Sequence, residues 1–167
     1  MNGASASATL EEIKRLGFTH LLSIPDSESA ALCERTASDP DIAYVCPCRE
    51  GEAVAIAAGL WVGGMKPLLV LQNTGLMEAG DAIRGCGIGP SIPLLMLIGW
   101  RGYAGAQAGQ QPIDSAFPYT EPLLDAWGIP YSHLMTDEDL GTLAKMDETA
   151  TTTSKPAAII TGWKFRR

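Results

Sequence analysis

Two rhythms of hydrophobic positions alternate along this chain of 167 residues. Short, nearly continuous apolar runs predict buried strands at Thr19 to Ile24, Ile42 to Val45, Lys66 to Leu71, Ile92 to Ile98, Pro130 to Leu134 and Ala157 to Ile160. Segments with apolar residues at helical spacing lie between them. Leu10, Ile13 and Leu16 mark a first helix, with Ser7 or Thr9 as its cap and Gly17 as its stop. Asp26 or Ser27 can cap a second helix that runs to about Ser38. Further helices are predicted from Glu50, from about Leu76 to Ile83, from Thr120 to Trp127 with Gly128 as stop, and from Asp137 to about Thr149. Residues 1–6 read as a disordered lead and Gly85 to Pro90 as a flexible connection. Residues 101–118 form a long loop rich in Gly, Gln and Pro; loops of that length inside a compact domain are usually functional or mobile.

Strand and helix alternate about six times. That order predicts an α/β fold: a three-layer sandwich around a mostly parallel sheet of about six strands, formed by residues 1–167 as a single domain. Ile92 to Ile98 is the most apolar run and is expected at the centre of a sheet covered on both faces.

The helix from Glu50 departs from the ordinary amphipathic pattern. Arg49, Glu50 and Glu52 stand at its front, and behind them Ala53, Val54, Ala55, Ile56, Ala57, Ala58 and Leu60 surround the axis with almost no polar face. A helix apolar all round is expected to be buried on most sides. Acidic residues in a first turn are favoured by the macrodipole, which is reason enough for Glu50 and Glu52 to be there. A carboxylate at the mouth of a buried helix is nevertheless costly unless something pairs with it, and this makes Glu50 a candidate for chemistry.

Charge narrows the function classes. A net charge of −7 and a pI near 4.7 argue against a nucleic-acid partner, which needs a basic face. Only the tail Lys164-Phe165-Arg166-Arg167 is basic, and it reads as a solvated end. Cys33, Cys46, Cys48 and Cys86 form no CxxC, and only His20 and His133 could add imidazole, so no metal site is expected from them. Free thiols of this kind suit a reducing compartment. The N-terminal residues show no secretory h-region, and the longest apolar run is far too short for a bilayer, so a cytoplasmic location is expected, with no membrane partner.

The string Arg49-Glu50-Gly51-Glu52-Ala53-Val54-Ala55-Ile56-Ala57-Ala58-Gly59-Leu60-Trp61 resembles the pyrimidine-binding domain of thiamine-diphosphate enzymes, through Glu50, Ala53, Ala57 and Gly59. It is closer still to the sulfopyruvate and phosphonopyruvate decarboxylase family. Ile24-Pro25-Asp26-Ser27, Gln72-Asn73-Thr74-Gly75 and Trp100-Arg101-Gly102 extend the resemblance over nearly the whole chain. It implies the thiamine-diphosphate-binding fold and a site at the carboxyl edge of the sheet. Glu50 would be the catalytic residue, hydrogen-bonding a nitrogen of the cofactor's pyrimidine ring. Pro25, Asn73, Thr74 and Gly75 would help to bind the cofactor, and Asp26, Ser27, Arg101 and Gln111 the substrate.

The resemblance also implies what the chain lacks. Relatives hold the diphosphate and its Mg2+ with a Gly-Asp-Gly motif and a downstream asparagine pair, whereas this chain has Glu78-Ala79-Gly80-Asp81 and no such pair. A β subunit carrying that half is therefore implied, in a hetero-oligomer of α2β2 form or larger, acting on a small 2-oxo acid. Met77 and Glu78 stand where relatives tend to have Gly-Asn, and Gln110-Gln111 where they often have Gln-His; both departures bear on the substrate. Two further readings share the fold. One is a carboligase subunit like that of acetolactate synthase, and the other a non-catalytic binding or scaffold subunit.

Overall fold

A computed structural model describes residues 3–112 and 114–167. The helices are α1 (Ala6–Arg15), α2 (Ala30–Ala37), α3 (Glu50–Val62), α4 (Asn73–Glu78), α5 (Gly80–Ala82), α6 (Tyr103–Gln107), α7 (Thr120–Trp127) and α8 (Gly141–Thr153). The strands are β1 (His20–Ser23), β2 (Ala43–Val45), β3 (Pro67–Gln72), β4 (Leu95–Gly99), β5 (Tyr131–His133) and β6 (Ala157–Thr161). They form one six-stranded sheet in the order β2-β1-β3-β4-β6-β5, and every pairing is parallel. β3 and β4 occupy the middle, and β4, from the run Ile92 to Ile98, is the one expected there.

Strand alternation divides the core cleanly. Leu68, Val70, Leu95, Leu97, Ala157 and Ile159 face one side with α1, α2 and α8. Leu69, Leu71, Met96, Ile98, Ala158 and Ile160 face the other with α3, α4 and α7. Both faces are covered, which is why the strands read as unbroken apolar runs rather than as alternating ones. Each fully buried Leu or Ile contributes about 1.5–3 kcal/mol by leaving water.

Several expected boundaries shift for identifiable reasons. α1 starts at Ala6 because Ser5, rather than Ser7 or Thr9, accepts the N–H of Ala8 at 3.4 Å. Gly17 ends it with φ 79°, as its position predicts. Asp26 closes the turn before α2, its carboxylate accepting the N–H groups of Glu28 and Ser29 at 2.6 and 3.0 Å. Most of the segment read as a flexible connection, Gly85 to Pro90, is a π-helix spanning Ile83–Ile88. Gly87 there is buried, and its Cβ position lies 2.9 Å from Pro156, so close packing explains a glycine that had suggested mobility.

The chain ends are also corrected. Residues 3–6 are not a disordered lead. Ser5 bridges to Arg166 in parallel, and the N–H of Ala6 donates to Arg166 O at 2.8 Å. Met1 and Asn2 lie outside the described residues. The basic tail is likewise not simply solvated: Phe165 is buried, and Arg166 pairs with Asp137 and donates to Gly3 O. Two complementary chain ends thus satisfy each other's backbone groups, a pairing that separation in sequence hides.

Candidate active site at the carboxyl edge of the sheet

The loops that follow β1, β3 and β4 meet at the carboxyl edge of the sheet, where ligands collect in open α/β folds. With the start of α3 they enclose a cavity of about 330 Å³. Pro25, Asp26, Ser27, Glu50, Thr74 and Arg101 line it, six residues drawn from four separate stretches of sequence. Ile24, Val70, Leu71 and Gln72 complete the wall; Ile24 and Gln72 belong to strings that carry the resemblance without being expected to bind, and Val70 and Leu71 read only as strand core.

Three carboxylates gather at the mouth of α3 and are used differently. Glu52 accepts the N–H of Cys48 at 2.7 Å and so closes the helix's first turn. Glu78, on α4, accepts the N–H of Gly51 at 2.8 Å and pairs with Arg49 at 2.6 Å. It supplies from a neighbouring helix the cap that Arg49, at the N-cap position, does not. The Glu50 carboxylate has no hydrogen bond or ion pair among the described residues, although it is half-buried and lines the cavity. The macrodipole explains acids in this turn in general; it does not explain why this one is held without a partner.

Gly75 holds it in place. A Cβ at position 75 would fall 2.6 Å from Glu50 Cγ and 2.7 Å from its Oε1, so only glycine lets α4 start against this side chain. Gly75 therefore touches Glu50 rather than lining the cavity. Asn73 does not line it either. Its fully buried side chain donates to Arg101 O at 3.2 Å and to Thr120 Oγ1 at 3.4 Å, and accepts the N–H of Thr74 at 3.1 Å. That network ties the end of β3 to the loop after β4. The carboxylate of Asp26 is also occupied within its own turn, including a 2.6 Å bond from Ser29 Oγ. Gln111 lies in an adjoining cavity that shares Arg101 with the first.

The loop after β4 is held by aromatic packing. Trp100 stacks on Phe117 with ring centroids 5.0 Å apart and donates its indole N–H to Phe117 O at 3.0 Å. Tyr103 packs against Trp100 on one side and edge-on against Trp163 on the other. Gly102, at φ 100°, makes the reversal that sends the chain into α6. Within the segment read as a long loop, Tyr103–Gln107 is a short helix and a 3-10 turn follows at Phe117–Tyr119.

Among the described residues no group of three or more His, Cys, Asp or Glu side chains is placed to hold a metal ion. No described helix is long and apolar enough to cross a membrane.

No family model matches the chain. The sulfopyruvate decarboxylase α subunit of Methanococcus maripaludis is 27% identical over 160 residues, covering 93% of each chain. The phosphonopyruvate decarboxylase of Streptomyces viridochromogenes is 36% identical over 90 residues, covering 54% of this chain and 23% of that one. The chain is similar in sequence to both kinds of decarboxylase. It spans about a quarter of the length of the phosphonopyruvate decarboxylases that it matches. In structure it superposes on benzoylformate decarboxylase from Polynucleobacter necessarius with a TM-score of 0.80 at 18% identity, covering 100% of this chain and 32% of that one. A thiamine-diphosphate-dependent 4-hydroxybenzoylformate decarboxylase from Rhodococcus jostii gives 0.73 at 21%, covering 98% and 31%. The fold expected from the sequence, that of thiamine-diphosphate-dependent enzymes, is the one observed.

Proposed function

We propose that this chain is a single pyrimidine-binding domain. It would form the α subunit of a two-chain thiamine-diphosphate-dependent 2-oxo-acid decarboxylase of the sulfopyruvate or phosphonopyruvate type. The observation that carries the proposal is Glu50: a half-buried carboxylate without a partner among the described residues, lining a cavity at the sheet's carboxyl edge and cradled by a glycine. A scaffold has no use for such a group, whereas an aminopyrimidine ring offers the hydrogen-bond partner it lacks. The residues present fit the pyrimidine end of the cofactor. Glu50 would hold the proton at a ring nitrogen, Thr74 and Pro25 would wall the ring, and Gly75 would keep Glu50 from swinging away. Bound there, the cofactor supplies the electron sink for loss of carbon dioxide, while the protein provides orientation and electrostatics. Arg101 and Ser27 face the remaining space and would orient the oxo acid's anionic groups. Asn73, with its side chain satisfied internally, would position Arg101 rather than touch the cofactor.

The diphosphate and its Mg2+ would be held by a partner β subunit in a hetero-oligomer of α2β2 form or larger. The full-length similarity to chains called α subunits supports this assignment. So does the outward face of α3, where Ala55, Gly59, Trp61 and Val62 are exposed. A cytoplasmic setting fits the free cysteines.

The test is to combine this chain with a β subunit, thiamine diphosphate, Mg2+ and 2-oxo acids, and to measure carbon dioxide release and hydrogen–deuterium exchange at the thiazolium carbon. The isolated chain is expected to be inactive. In the assembled enzyme Glu50→Gln should lower both rates by roughly two orders of magnitude or more, the scale of a lost acid/base group. Glu52→Gln, which keeps an acceptor for the Cys48 N–H and removes only a charge outside the cavity, should change them far less. Exchange at equal rates in wild type and Glu50→Gln would overturn the proposal.

A further inference from the structure

The side-chain amide of Gln72 is half spent. Gln72 ends β3 at the carboxyl edge of the sheet, in register with Gly99, and lines the Glu50 cavity. Its Oε1 accepts the hydroxyl of Thr74 at 2.8 Å. A hydroxyl that donates needs the carbonyl end of the amide, so this bond fixes which end is which. The NH2 end keeps both hydrogens, with no hydrogen-bond partner among the described residues. It is not buried either: among the described residues, the buried side-chain atoms without a partner are Thr9 Oγ1 and Asp114 Oδ2. The other polar side chains of the cavity leave few donors. Asp26 and Glu50 are carboxylates and only accept. Ser27 Oγ donates to Glu28 Oε1 at 3.1 Å, and the Thr74 hydroxyl donates to Gln72. The guanidinium of Arg101 and the amide of Gln72 are the side-chain donors left for a ligand.

We propose that Gln72 is a substrate-binding residue whose NH2 donates to the carboxylate of the oxo acid, and that Thr74 is the positioning residue that aims it. The inference rests on the decarboxylase reading above. It divides the two donors by place. Thr74 precedes Gly75, which touches Glu50, so the Gln72–Thr74 pair stands at the reacting end of the cavity. Arg101, in the loop after β4, is left for the remote acidic group. The division also suits the chemistry. A carboxylate that leaves as carbon dioxide loses its charge on the way to the transition state. A cation against it would hold the ground state more firmly than the transition state and so slow the step. A neutral amide orients the same oxygen with less of that penalty. Its carbonyl end, tied to Thr74, is kept from turning a lone pair toward the anion.

Two substitutions separate binding from support. Gln72→Met keeps the length of the side chain and removes both ends of the amide. Gln72→Glu keeps an acceptor for Thr74 and replaces the donor with a charged acceptor. In the assembled two-chain enzyme Gln72→Met should raise KM for the oxo acid about tenfold, the scale of one hydrogen bond to a charged group, with kcat within about threefold. Gln72→Glu should raise KM about tenfold further, because carboxylate would face carboxylate. Hydrogen–deuterium exchange at the thiazolium carbon, measured without substrate, should stay within about twofold of wild type in Gln72→Met, since only substrate binding is touched. Thr74→Val should raise KM when Gln72 is present and add nothing to Gln72→Met; a further rise in the double variant would overturn the positioning role of Thr74. A KM in Gln72→Glu no higher than in Gln72→Met would make Gln72 merely a support for Thr74 and overturn the inference. Loss of thiazolium exchange in Gln72→Met would overturn it too. If the assembled wild type decarboxylates no oxo acid, the decarboxylase reading fails separately. The donor is then judged on the full chain by NMR, with the Gln72 NH2 signals identified by their loss in Gln72→Met. Movement of these signals with pyruvate but not with methyl pyruvate supports a carboxylate site, and no movement, or equal movement with both, overturns it.

Discussion

Helices α3 and α8 are both thirteen residues long and cover opposite faces of the same sheet, but they treat their outer sides in opposite ways. α8 buries Leu143, Met146 and Ala150, one stripe at helical spacing, and turns Lys145, Glu148, Thr151 and Thr152 to water. That is an amphipathic surface helix, complete within its own chain. α3 buries Ala53, Val54, Ala57 and Ala58 in the same manner. Its other side, however, is Ala55, Gly59, Trp61 and Val62, followed by Met65, all exposed. The expectation that α3 would be buried on most sides therefore fails, because none of the described residues covers that face. One helix is finished by the fold; the other keeps an apolar outer face that the proposed partner would cover. The unfinished helix is also the one that begins at Glu50, which ties the proposed assembly to the proposed chemistry.

The contrast predicts opposite responses to truncation. Leu143→Ala should destabilise the isolated chain by about 2–5 kcal/mol, the range for a large-to-small change in a packed core. Val62→Ser, at a side chain 72% exposed, should change it by less than about 0.5 kcal/mol. Urea unfolding of the isolated chain measures both. A large loss from Val62→Ser would mean that α3 is already covered, and the contrast would disappear.

Activity should show the reverse. Gly75→Ala drives a Cβ into Glu50 and should cost the assembled enzyme on the order of a hundredfold in turnover, as for losing the carboxylate's role outright. Circular dichroism of the isolated chain should hardly change, since the atoms in the way all belong to the Glu50 side chain, which can rotate aside while α4 stays in place. Full activity in Gly75→Ala would show that Glu50 need not be held where it is. Trp61→Asp, on the outer face of α3, should raise the dissociation constant for the β subunit about ten- to hundredfold, or about 1.4–2.8 kcal/mol, with no loss of stability in the isolated chain. Analytical ultracentrifugation of the mixed chains decides it. Unchanged assembly would move the interface elsewhere.

Much of this was legible in the residues before any coordinates. The parallel sheet, the central place of Ile92 to Ile98 and the gathering of Pro25, Glu50, Thr74 and Arg101 at one edge follow from apolar runs, turn residues and the rule that ligands sit at strand carboxyl ends. What was hidden depended on contacts across the chain. The 2.8 Å bond from Gly51 N–H to Glu78 spans 27 residues, so the charge pattern at the mouth of α3 could not reveal which acid was free. Asn73 reads as a ligand in a polar loop, yet its donors are spent on Arg101 O and Thr120.

The smallest effect is expected at Glu78, and it sharpens the division of labour among the carboxylates. Its side chain is 35% exposed and that of its partner Arg49 is 68% exposed, so the ion pair is largely screened and contributes little. The bond to the Gly51 N–H matters more, because it satisfies a donor in the first turn of α3 that the helix itself leaves orphaned. Glu78→Ala should therefore lower the stability of the isolated chain by about 1 kcal/mol or less, near the low end for a lost cap. Glu78→Gln, which can still accept from Gly51, should cost less than half of that. Raising the salt concentration should shrink the difference between wild type and Glu78→Gln but leave most of the Glu78→Ala loss, since screening acts on the charge pair and not on the backbone bond. In the assembled enzyme both variants should keep turnover within about tenfold of wild type, as the carboxylate that faces the cavity is untouched. If Glu78→Gln instead lost as much activity as Glu50→Gln, the acids at the mouth of α3 would be working as one unit, and their separation into two that cap and one that reacts would have to be abandoned.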